Sequence, residues 1–181
     1  MSKLLVVVDY QNDFVDGTLG FDKAKTLEQP IYDKITSYLQ QGNKVVFTYD
    51  THYKEYMESI EGKNLPVFHC IKDTNGHKLY GRINKFSHHE NTFHYEKEGF
   101  GIAPVDLLRL ANEVGQDIKE IEIIGVVTNI CVISNMVMLK AQYRNADIIV
   151  DASLCASYDE VLHEKALDVM EGLQAKIINR G

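Results

Sequence analysis

The chain has 181 residues, and its 19 Lys and Arg against 26 Asp and Glu give a formal net charge of −7. This length fits one globular domain, residues 1–181, and the acidic balance disfavours nucleic acid and anionic membranes as partners. The three cysteines, Cys70, Cys131 and Cys155, predict no disulfide framework, and no apolar run reaches the roughly 20 residues of a membrane helix. We therefore expect a cytoplasmic protein with reduced thiols.

Short apolar runs alternate with longer amphipathic ones along the first half of the chain. Leu4–Val8 is typical of a strand buried on both faces, and Lys44–Tyr49 of a second strand. Between them, apolar residues at helical spacing predict a helix that ends just before Gly42. Residues 51–89 have no steady period and hold most of the histidines, so we interpret them as an irregular, functional insertion.

The middle of the chain continues the alternation. Thr92–Glu96 is predicted to be a third strand, and a helix is expected to begin at Pro104 and to end at Gly115. Glu120–Val126 is predicted to be the fourth strand. The buried face of the helix is marked by four apolar residues, Leu107, Leu108, Ala111 and Val114.

The last third completes the pattern. Ile130–Tyr143 is predicted to be a helix so apolar that both of its faces are covered, which also favours a homo-oligomer. A strand over Asp147–Val150 precedes a capping box at Ser157–Glu160, and Lys176–Asn179 is predicted to be the last strand. Five apolar residues are expected to continue the helix after the box: Leu162, Ala166, Val169, Met170 and Leu173. Repeated strand–helix units predict a Rossmann-like α/β fold, a three-layer α/β/α domain with a mostly parallel central sheet.

Ligands of an open parallel sheet bind at the carboxyl ends of its strands, so the polar residues that follow each strand are candidates for function. Asp9 follows the first strand, Asp50-Thr51-His52 the second, Lys97 the third and Thr128–Cys131 the fourth. A carboxylate, a carboxylate–imidazole pair, an ammonium and a thiol are thus predicted at one edge of the sheet. This convergence favours a chemical role over separate structural ones.

Cys131 is the candidate nucleophile. If Thr128 or Asn129 caps the following helix, Cys131 lies in the first helical turn, where the positive end of the helix favours the thiolate and nearby N–H groups can hold an oxyanion. Taken singly, Cys131 reads as a core residue, Asp9 as a strand cap and Lys97 as a surface lysine between two glutamates. Taken together they favour a thiol nucleophile, with a partly desolvated Asp9 as proton shuttle.

A second group of residues has the spacing of metal ligands. Asp50 and His52 are two residues apart in an extended segment, so their side chains project to the same side. With His69 they can share a divalent cation, and Glu58 and Glu61 lie between as further candidate ligands. The alternative is a hydrogen-bonded pair in a loop. The other histidines and cysteines are interpreted as structural or surface residues: His77, His88, His89, His94, His163, Cys70 and Cys155.

Several segments carry a resemblance to a known family. They are Asp9–Phe14 (DYQNDF), Asp50–His52, Leu65–Cys70 (LPVFHC), Lys97 and Gly125–Val132 (GVVTNICV). In this order, from the first strand to the last, they resemble the isochorismatase-like cysteine hydrolases, and within them the nicotinamidase (pyrazinamidase) group. The resemblance implies an isochorismatase-like fold and an amidohydrolase activity on linear amides.

The resemblance also implies a catalytic triad of Asp9, Lys97 and Cys131. In this family the cysteine attacks the carboxamide carbon, the aspartate carries the proton to departing ammonia, and water releases the acid from a thioester. The implied oxyanion hole consists of the backbone N–H groups of Val127 and Cys131, with a cis peptide bond preceding Val127. An aromatic residue of the family that flanks the substrate ring corresponds to Phe14.

The metal ligands implied by the resemblance are Asp50, His52 and His69. The ion they would hold is a divalent metal, zinc first, with iron or manganese as alternatives, and it binds the pyridine nitrogen of nicotinamide. Many nicotinamidases have a third histidine where this chain has Tyr56, and some relatives use a glutamate further along, for which we choose Glu61 over Glu58. A second departure is Asn129, where the family often has an acidic residue.

The leading hypothesis is therefore a metal-assisted cysteine amidohydrolase that converts nicotinamide to nicotinate and ammonia in NAD salvage. The alternatives are a hydrolase of another small amide or carbamoyl compound and a non-catalytic metal-binding relative. Isochorismate hydrolysis is disfavoured because such members generally lack the cysteine. A nucleotide-dependent oxidoreductase is disfavoured because no G-x-G-x-x-G follows the first strand. The expected partner is a small amide substrate.

Overall fold

Six parallel strands form the centre of the fold in the computed structural model, which describes residues 2–181. Met1, part of the predicted domain 1–181, lies outside the described residues. The strand order is β3-β2-β1-β4-β5-β6, and every neighbouring pair is parallel, which confirms the predicted α/β class. The strands are β1 (Lys3–Val8), β2 (Lys44–Asp50), β3 (Thr92–Lys97), β4 (Glu120–Val126), β5 (Asp147–Ala156) and β6 (Lys176–Ile178).

Helices cover both faces of this sheet. They are α1 (Asn12–Val15), α2 (Asp22–Lys25), α3 (Glu28–Gln40), α4 (Ile60–Asn64), α5 (Pro104–Val114), α6 (Ile133–Gln142) and α7 (Glu160–Gly172). One apolar core joins the sheet to α5, α6 and α7, and a second joins it to α3 and a 3-10 helix over Gly81–His88. The three layers were therefore predicted correctly. Among the described residues, none of the helices combines the length and apolar composition needed to cross a bilayer.

The strand order decides where the polar residues meet. β1 lies between β2 and β4, and the chain moves outward from β1 in both directions, so the carboxyl ends of these strands border the crevice where such sheets bind ligands. The last residue pairs are Val8 with Thr48 and Val8 with Gly125. The residues that follow Val8 in the chain therefore lie between those that follow β2 and β4.

Gly125 allows β4 to come close to the end of β1. Its φ is +121°, and a Cβ at this position would lie 2.2 Å from the carbonyl oxygen of Val8. No other residue type combines this backbone conformation with such a close approach. The pairing of β4 with β5 also shifts register between Ile123 and Gly125, just before the chain enters the site.

The predicted start of the helix Ile130–Tyr143 is wrong. A π-helical turn over Thr128–Val132 comes first, and α6 follows from Ile133. Neither Thr128 nor Asn129 is the N-cap, because the residue before the turn is Val127 and no side chain caps it. The side chains of these two residues contact other parts of the chain. Thr128 Oγ1 lies 2.8 Å from His163 Nδ1, and Asn129 Oδ1 accepts a hydrogen bond from Ser157.

The predicted buried face of α5 is partly wrong. Leu108 in α5 is 59% exposed, whereas Leu110 is fully buried. In α7, three of the apolar residues that continue the helix, Leu162, Val169 and Leu173, are exposed, and its buried residues are His163, Ala166, Leu167 and Met170. The apolar residues of both helices form two adjacent stripes, and the angle at which each helix crosses the sheet decides which stripe is covered. Val137 in α6 is also exposed, so the prediction that both faces of this helix are covered is wrong.

The capping box before α7 is replaced by a simpler cap. Asp159 is the N-cap, and its carboxylate accepts a hydrogen bond from the backbone N–H of Leu162 at 2.9 Å. Ser157 instead donates to Asn129 and accepts from the N–H of Asp159. The loop before α7 is thereby fixed to the turn that carries Cys131.

Candidate active site

The three residues predicted to be catalytic lie together at the carboxyl ends of β1, β3 and β4. Lys97 Nζ donates to Asp9 Oδ2 at 2.7 Å and lies 3.8 Å from Cys131 Sγ. All three side chains are at least 95% buried. Lys97 is thus not the solvated surface residue that its two glutamate neighbours suggest, because parallel pairing of β3 with β2 directs it under the loops of the site.

Asp9 is held by contacts from two neighbouring strands. Its Oδ1 accepts from Thr48 Oγ1 at 2.6 Å, its Oδ2 accepts from Lys97, and its backbone has a φ of +46°. A positive φ is uncommon for a residue other than glycine and is found where surrounding contacts stabilise it. The carboxylate is thereby fixed in one orientation at the end of β1.

Burial and charge set the protonation of these groups. Burial raises the pKa of Asp9, and the ammonium of Lys97 offsets only part of that effect. Burial alone would lower the pKa of Lys97, but the charges of Asp9, Cys131 and Asp50 raise it, so Lys97 stays protonated. The site therefore combines a fixed positive charge with a carboxylate that binds protons more readily than an exposed aspartate.

The thiol differs from the predicted helix-stabilised thiolate. Burial and the nearby carboxylate of Asp9 raise the pKa of Cys131 well above that of a free cysteine, although Lys97 acts in the opposite direction. A thiol in this environment needs a base when it reacts, and Asp9 is the adjacent candidate. The peptide bond between Val126 and Val127 is cis, as the resemblance implies.

The four predicted metal ligands form one cluster. One ligand atom from each of Asp50, His52, Glu61 and His69 can be chosen so that all four lie within 4.8 Å of one another. Asp50 Oδ2 lies 3.0 Å from His52 Nε2 and 3.2 Å from His69 Nε2, and Glu61 Oε1 lies 3.6 Å from His52 Nε2. Two imidazoles and two carboxylates are donors typical of zinc, iron or manganese sites.

The cluster contains polar atoms that need a partner. Asp50 Oδ1 and His52 Nε2 are buried and make no hydrogen bond within the described residues. Burial alone would lower the pKa of His52, but the carboxylates of Asp50 and Glu61 raise it to about 9. A positive charge is therefore favoured among these atoms, and the donor set fits a divalent cation.

Glu61 reaches the cluster because of a short helix. Ser59 caps α4 by accepting a hydrogen bond from Gly62 N–H at 2.8 Å, and Glu61 lies in the first turn. A Cβ on Gly62 would lie 2.1 Å from the carbonyl oxygen of Tyr56, so glycine is required for this close approach. Glu58 is exposed and lies outside the cluster, which agrees with the choice of Glu61.

Tyr56 lies at the position where the resemblance led us to expect a third histidine. Its ring lies 4.5 Å from that of His52 and 5.1 Å from that of His69, measured between centroids. Its hydroxyl donates to the carbonyl of Leu65 rather than to the cluster. Tyr56 therefore packs against the two imidazoles and belongs to their support.

A cavity of about 390 Å³ connects the Cys131 thiol with the candidate metal cluster. Cys131 lines it together with Asp50, Glu61 and His69, and Val127 borders it as well. Its remaining lining is largely apolar or aromatic and includes Phe14, Leu19, Leu65, Phe100, Ile130 and Tyr158. The ring of Phe14, the residue predicted to flank the substrate, lies 5.6 Å from that of His69. A small planar molecule can contact the thiol and the cluster together.

Sequence reasoning missed several residues of the site. Thr48, which pairs with Val8 in the sheet and donates to Asp9, was not identified. Gln11 was quoted only as part of a motif, yet its amide binds the backbone N–H and C=O of Asp50. Phe100 and Tyr158 line the cavity from loops that carry no periodic signal.

Within the described residues, the remaining histidines and cysteines belong neither to the Asp9–Lys97–Cys131 group nor to the metal cluster. Cys70 follows His69, but its buried thiol has no place among the clustered ligand atoms, and Cys155 is buried in β5. His77 and His94 line a larger, more polar cavity of about 510 Å³ beside β3, which contains none of the predicted site residues. His163 is buried against Thr128, and His88 and His89 are exposed.

Comparisons with known proteins agree on one family. Residues 3–180 match the model of the isochorismatase domain. A Bacillus subtilis (strain 168) protein named as an uncharacterized isochorismatase family protein, PncA, is 31% identical over 175 residues, which are 92% of this chain and 93% of that protein.

Solved structures agree with the family model over almost the whole chain. The crystal structure of nicotinamidase/pyrazinamidase PncA from Bacillus subtilis has a TM-score of 0.85 and 28% identity, covering 98% of this chain and 99% of that one. The pyrazinamidase/nicotinamidase of Streptococcus mutans UA159 has a TM-score of 0.86 and 28% identity, with coverage of 98% and 100%. The predicted isochorismatase-like fold is therefore confirmed.

Proposed function

The chain belongs to the isochorismatase family, and we propose that within it this protein is a metal-assisted cysteine amidohydrolase that converts nicotinamide to nicotinate and ammonia. The observation that carries the proposal is the shared cavity. Cys131, with Lys97 and Asp9 behind it, opens into the same space as three residues of the candidate metal cluster. An amide held there by its ring would present its carbonyl carbon to the thiol.

The proposed reaction begins with the thiol of Cys131. Its sulfur attacks the carboxamide carbon while its proton passes to the carboxylate of Asp9. That proton then moves to the amide nitrogen, the C–N bond breaks, and ammonia leaves a thioester on Cys131. Water attacks the thioester, Asp9 takes one of its protons, and the thiol is restored as nicotinate departs.

Lys97 supports this exchange by charge. Its ammonium lies 2.7 Å from Asp9 and 3.8 Å from the sulfur, so it stabilises a negative charge on either one as the proton moves between them. The oxygen of the tetrahedral intermediate is assigned to the backbone N–H groups of Val127 and Cys131. Both residues border the cavity, and no charged side chain is needed for this step.

Asp50, His52, Glu61 and His69 would hold the metal ion, because their ligand atoms converge and two buried ones, Asp50 Oδ1 and His52 Nε2, make no hydrogen bond within the described residues. When bound, a divalent ion supplies a Lewis acid for the ring nitrogen of the amide and so helps to orient it. The chain's own residues complete the substrate site, since Phe14 and Leu65 provide apolar surface for an aromatic ring. This lining favours an aromatic amide over an aliphatic carbamoyl compound.

Ammonia release from nicotinamide by the zinc-loaded protein tests the proposal. We expect turnover with nicotinamide and much weaker turnover with small carbamoyl compounds. If a carbamoyl compound is hydrolysed and nicotinamide is not, the amidohydrolase class survives and the substrate is wrong. If neither is hydrolysed while zinc binds at one equivalent, the protein is a non-catalytic metal-binding relative.

The role of Glu61 as a metal ligand can be separated from that of Glu58. We expect Glu61→Gln to weaken zinc binding by about tenfold or more, because it removes one anionic donor from the cluster. The dissociation constant is measured by competition with a chromophoric chelator, without any assay of activity. Glu58→Gln is the matched control, since Glu58 is exposed and lies outside the cluster. Equal affinities for the two variants would remove Glu61 from the ligand set.

A further inference from the structure

Asn135 is a fully buried amide in α6, four residues after Cys131. Its Nδ2 donates to the carbonyl oxygens of Cys131, at 2.8 Å, and Phe100, at 3.1 Å. Its Oδ1 accepts from the backbone N–H of Ile102 at 3.0 Å. Both amide protons and the amide oxygen are therefore used, and they join the turn that carries the thiol to the segment Gly99–Ile102.

The segment Gly99–Ile102 also holds the ammonium of Lys97, which donates to the carbonyl of Gly99 at 3.1 Å. The contacts thus form a closed circuit. It runs from the carbonyl of Cys131 through Asn135 and the segment to Lys97, and back to the sulfur of Cys131. Two groups therefore fix the ammonium relative to the sulfur: the carboxylate of Asp9, at 2.7 Å, and the carbonyl of Gly99 in the segment that Asn135 holds.

The two ends of this segment differ. Phe100 is 49% exposed, and a Cβ on Gly99 would meet nothing within 4 Å. Ile102, by contrast, is 1% exposed and belongs to the apolar core. Within residues 2–181, the hydrogen bonds of the segment to other parts of the chain come from Asn135 and from Lys97. The position of the exposed Gly99–Phe100 end therefore depends on these hydrogen bonds.

We propose that Asn135 is a positioning residue that sets the location of the Lys97 ammonium relative to the Cys131 thiol and so controls the reactivity of that thiol. The inference rests on the proposed roles of Cys131 and Lys97, and it does not depend on which amide is the substrate. Asn135 itself is buried behind the turn and does not line the cavity.

The charges around the thiol define the expected effect. Burial and the carboxylate of Asp9 raise the pKa of Cys131, and Lys97 is the positive group that lowers it. Removing the side chain of Asn135 frees the carbonyl of Phe100 and the N–H of Ile102, so the carbonyl of Gly99 holds the ammonium less firmly beside the sulfur. The thiol then needs a higher pH to ionise and reacts more slowly at neutral pH.

The test measures the rate at which iodoacetamide alkylates Cys131 across a pH series, with the modified cysteine identified by peptide mass analysis. We expect Asn135→Ala to move the midpoint of this profile upward by about half a pH unit to one unit. Lys97→Met provides the upper limit of the shift. With nicotinamide, we expect kcat to fall about tenfold or more, with KM changing less than kcat.

Ser134→Ala is the matched control on α6, because the hydroxyl of Ser134 donates to the carbonyl of Ile130 in the preceding turn and makes no hydrogen bond to the segment. Its alkylation profile should equal that of the wild type. A folded Asn135→Ala protein with the wild-type profile, beside a shifted Lys97→Met profile, would overturn the proposal.

If Asn135→Ala does not fold, Gly101→Ala replaces it. A Cβ on Gly101 would lie 3.3 Å from both Met138 Cγ and the carbonyl oxygen of Ser134, so it moves the segment away from α6 and leaves Asn135 intact. The same upward shift is expected, and an unchanged profile contradicts the proposal. A shifted profile in a protein that does not hydrolyse nicotinamide would support the positioning role and reject the proposed substrate.

Discussion

Replacing Cys131 with alanine is expected to lower kcat for nicotinamide by about 10³-fold or more, because the variant has no atom that can form the thioester. The measurement is ammonia release under saturating substrate. In the wild type, rapid acid quenching and mass spectrometry should find a nicotinoyl group on the peptide that contains Cys131. The variant should bind zinc with unchanged affinity, since Cys131 lies outside the cluster.

Cys155→Ala is the matched control for this experiment. Cys155 is also almost fully buried, but it lies in β5 and does not line the cavity. Its replacement removes one buried sulfur and should leave kcat within a fewfold of the wild type. Wild-type turnover by Cys131→Ala would exclude the thioester mechanism, and a loss of activity in both variants would point to a structural effect.

Replacing Asp9 with asparagine is expected to lower kcat by about 10²–10⁴-fold, the usual contribution of a general base. The substitution keeps the size of the side chain and can still accept the hydrogen bond from Thr48. What it removes is the proton acceptor beside a thiol whose pKa is raised. The measurement is the steady-state rate of ammonia release, with zinc content checked in both proteins.

The wild-type pH profile tests the same role. The carboxylate of Asp9 accepts protons only above its pKa, so kcat/KM should be full at higher pH and fall as the pH drops through that pKa. Because burial raises the pKa of Asp9, the midpoint should lie above about 3.9, the value of an exposed aspartate. Asp16→Asn, an exposed position in the same loop region, should keep both the rate and the profile. An acid limb that survives in Asp9→Asn would assign the pH dependence to another group.

The elements of the sheet could be predicted because their signals are local. Leu4–Val8 is apolar on both faces, as a strand covered by two layers must be, and Glu120–Val126 is largely apolar apart from its two glutamates. The polar residues at the strand ends followed from the same reasoning, since parallel strands bring their carboxyl ends to one edge. Asp9, Lys97 and Cys131 were therefore expected together before any distance was known.

Other features depend on how elements cross and pack. The amphipathic pattern of α7 contains two apolar stripes, and only its packing on the sheet shows that Leu167 is buried and Val169 exposed. The turn before α6 is π-helical with no side-chain cap, and no spacing rule indicates this. The hydrogen bonds of Asn135 join residues that are 33 to 35 positions apart as well as one four positions away, so no local pattern could predict them.

The sequence by itself determined which chemical groups stand at the ends of the strands, because strand hydrophobicity and the order of polar residues are properties of neighbouring positions. Only the tertiary structure decided the protonation of those groups and the residues that support them. The pKa of the Cys131 thiol is raised, against the prediction from its helix position, because burial and the carboxylate of Asp9 outweigh the charge of Lys97. Burial and distance arise from packing between distant segments, and they are fixed when the chain folds.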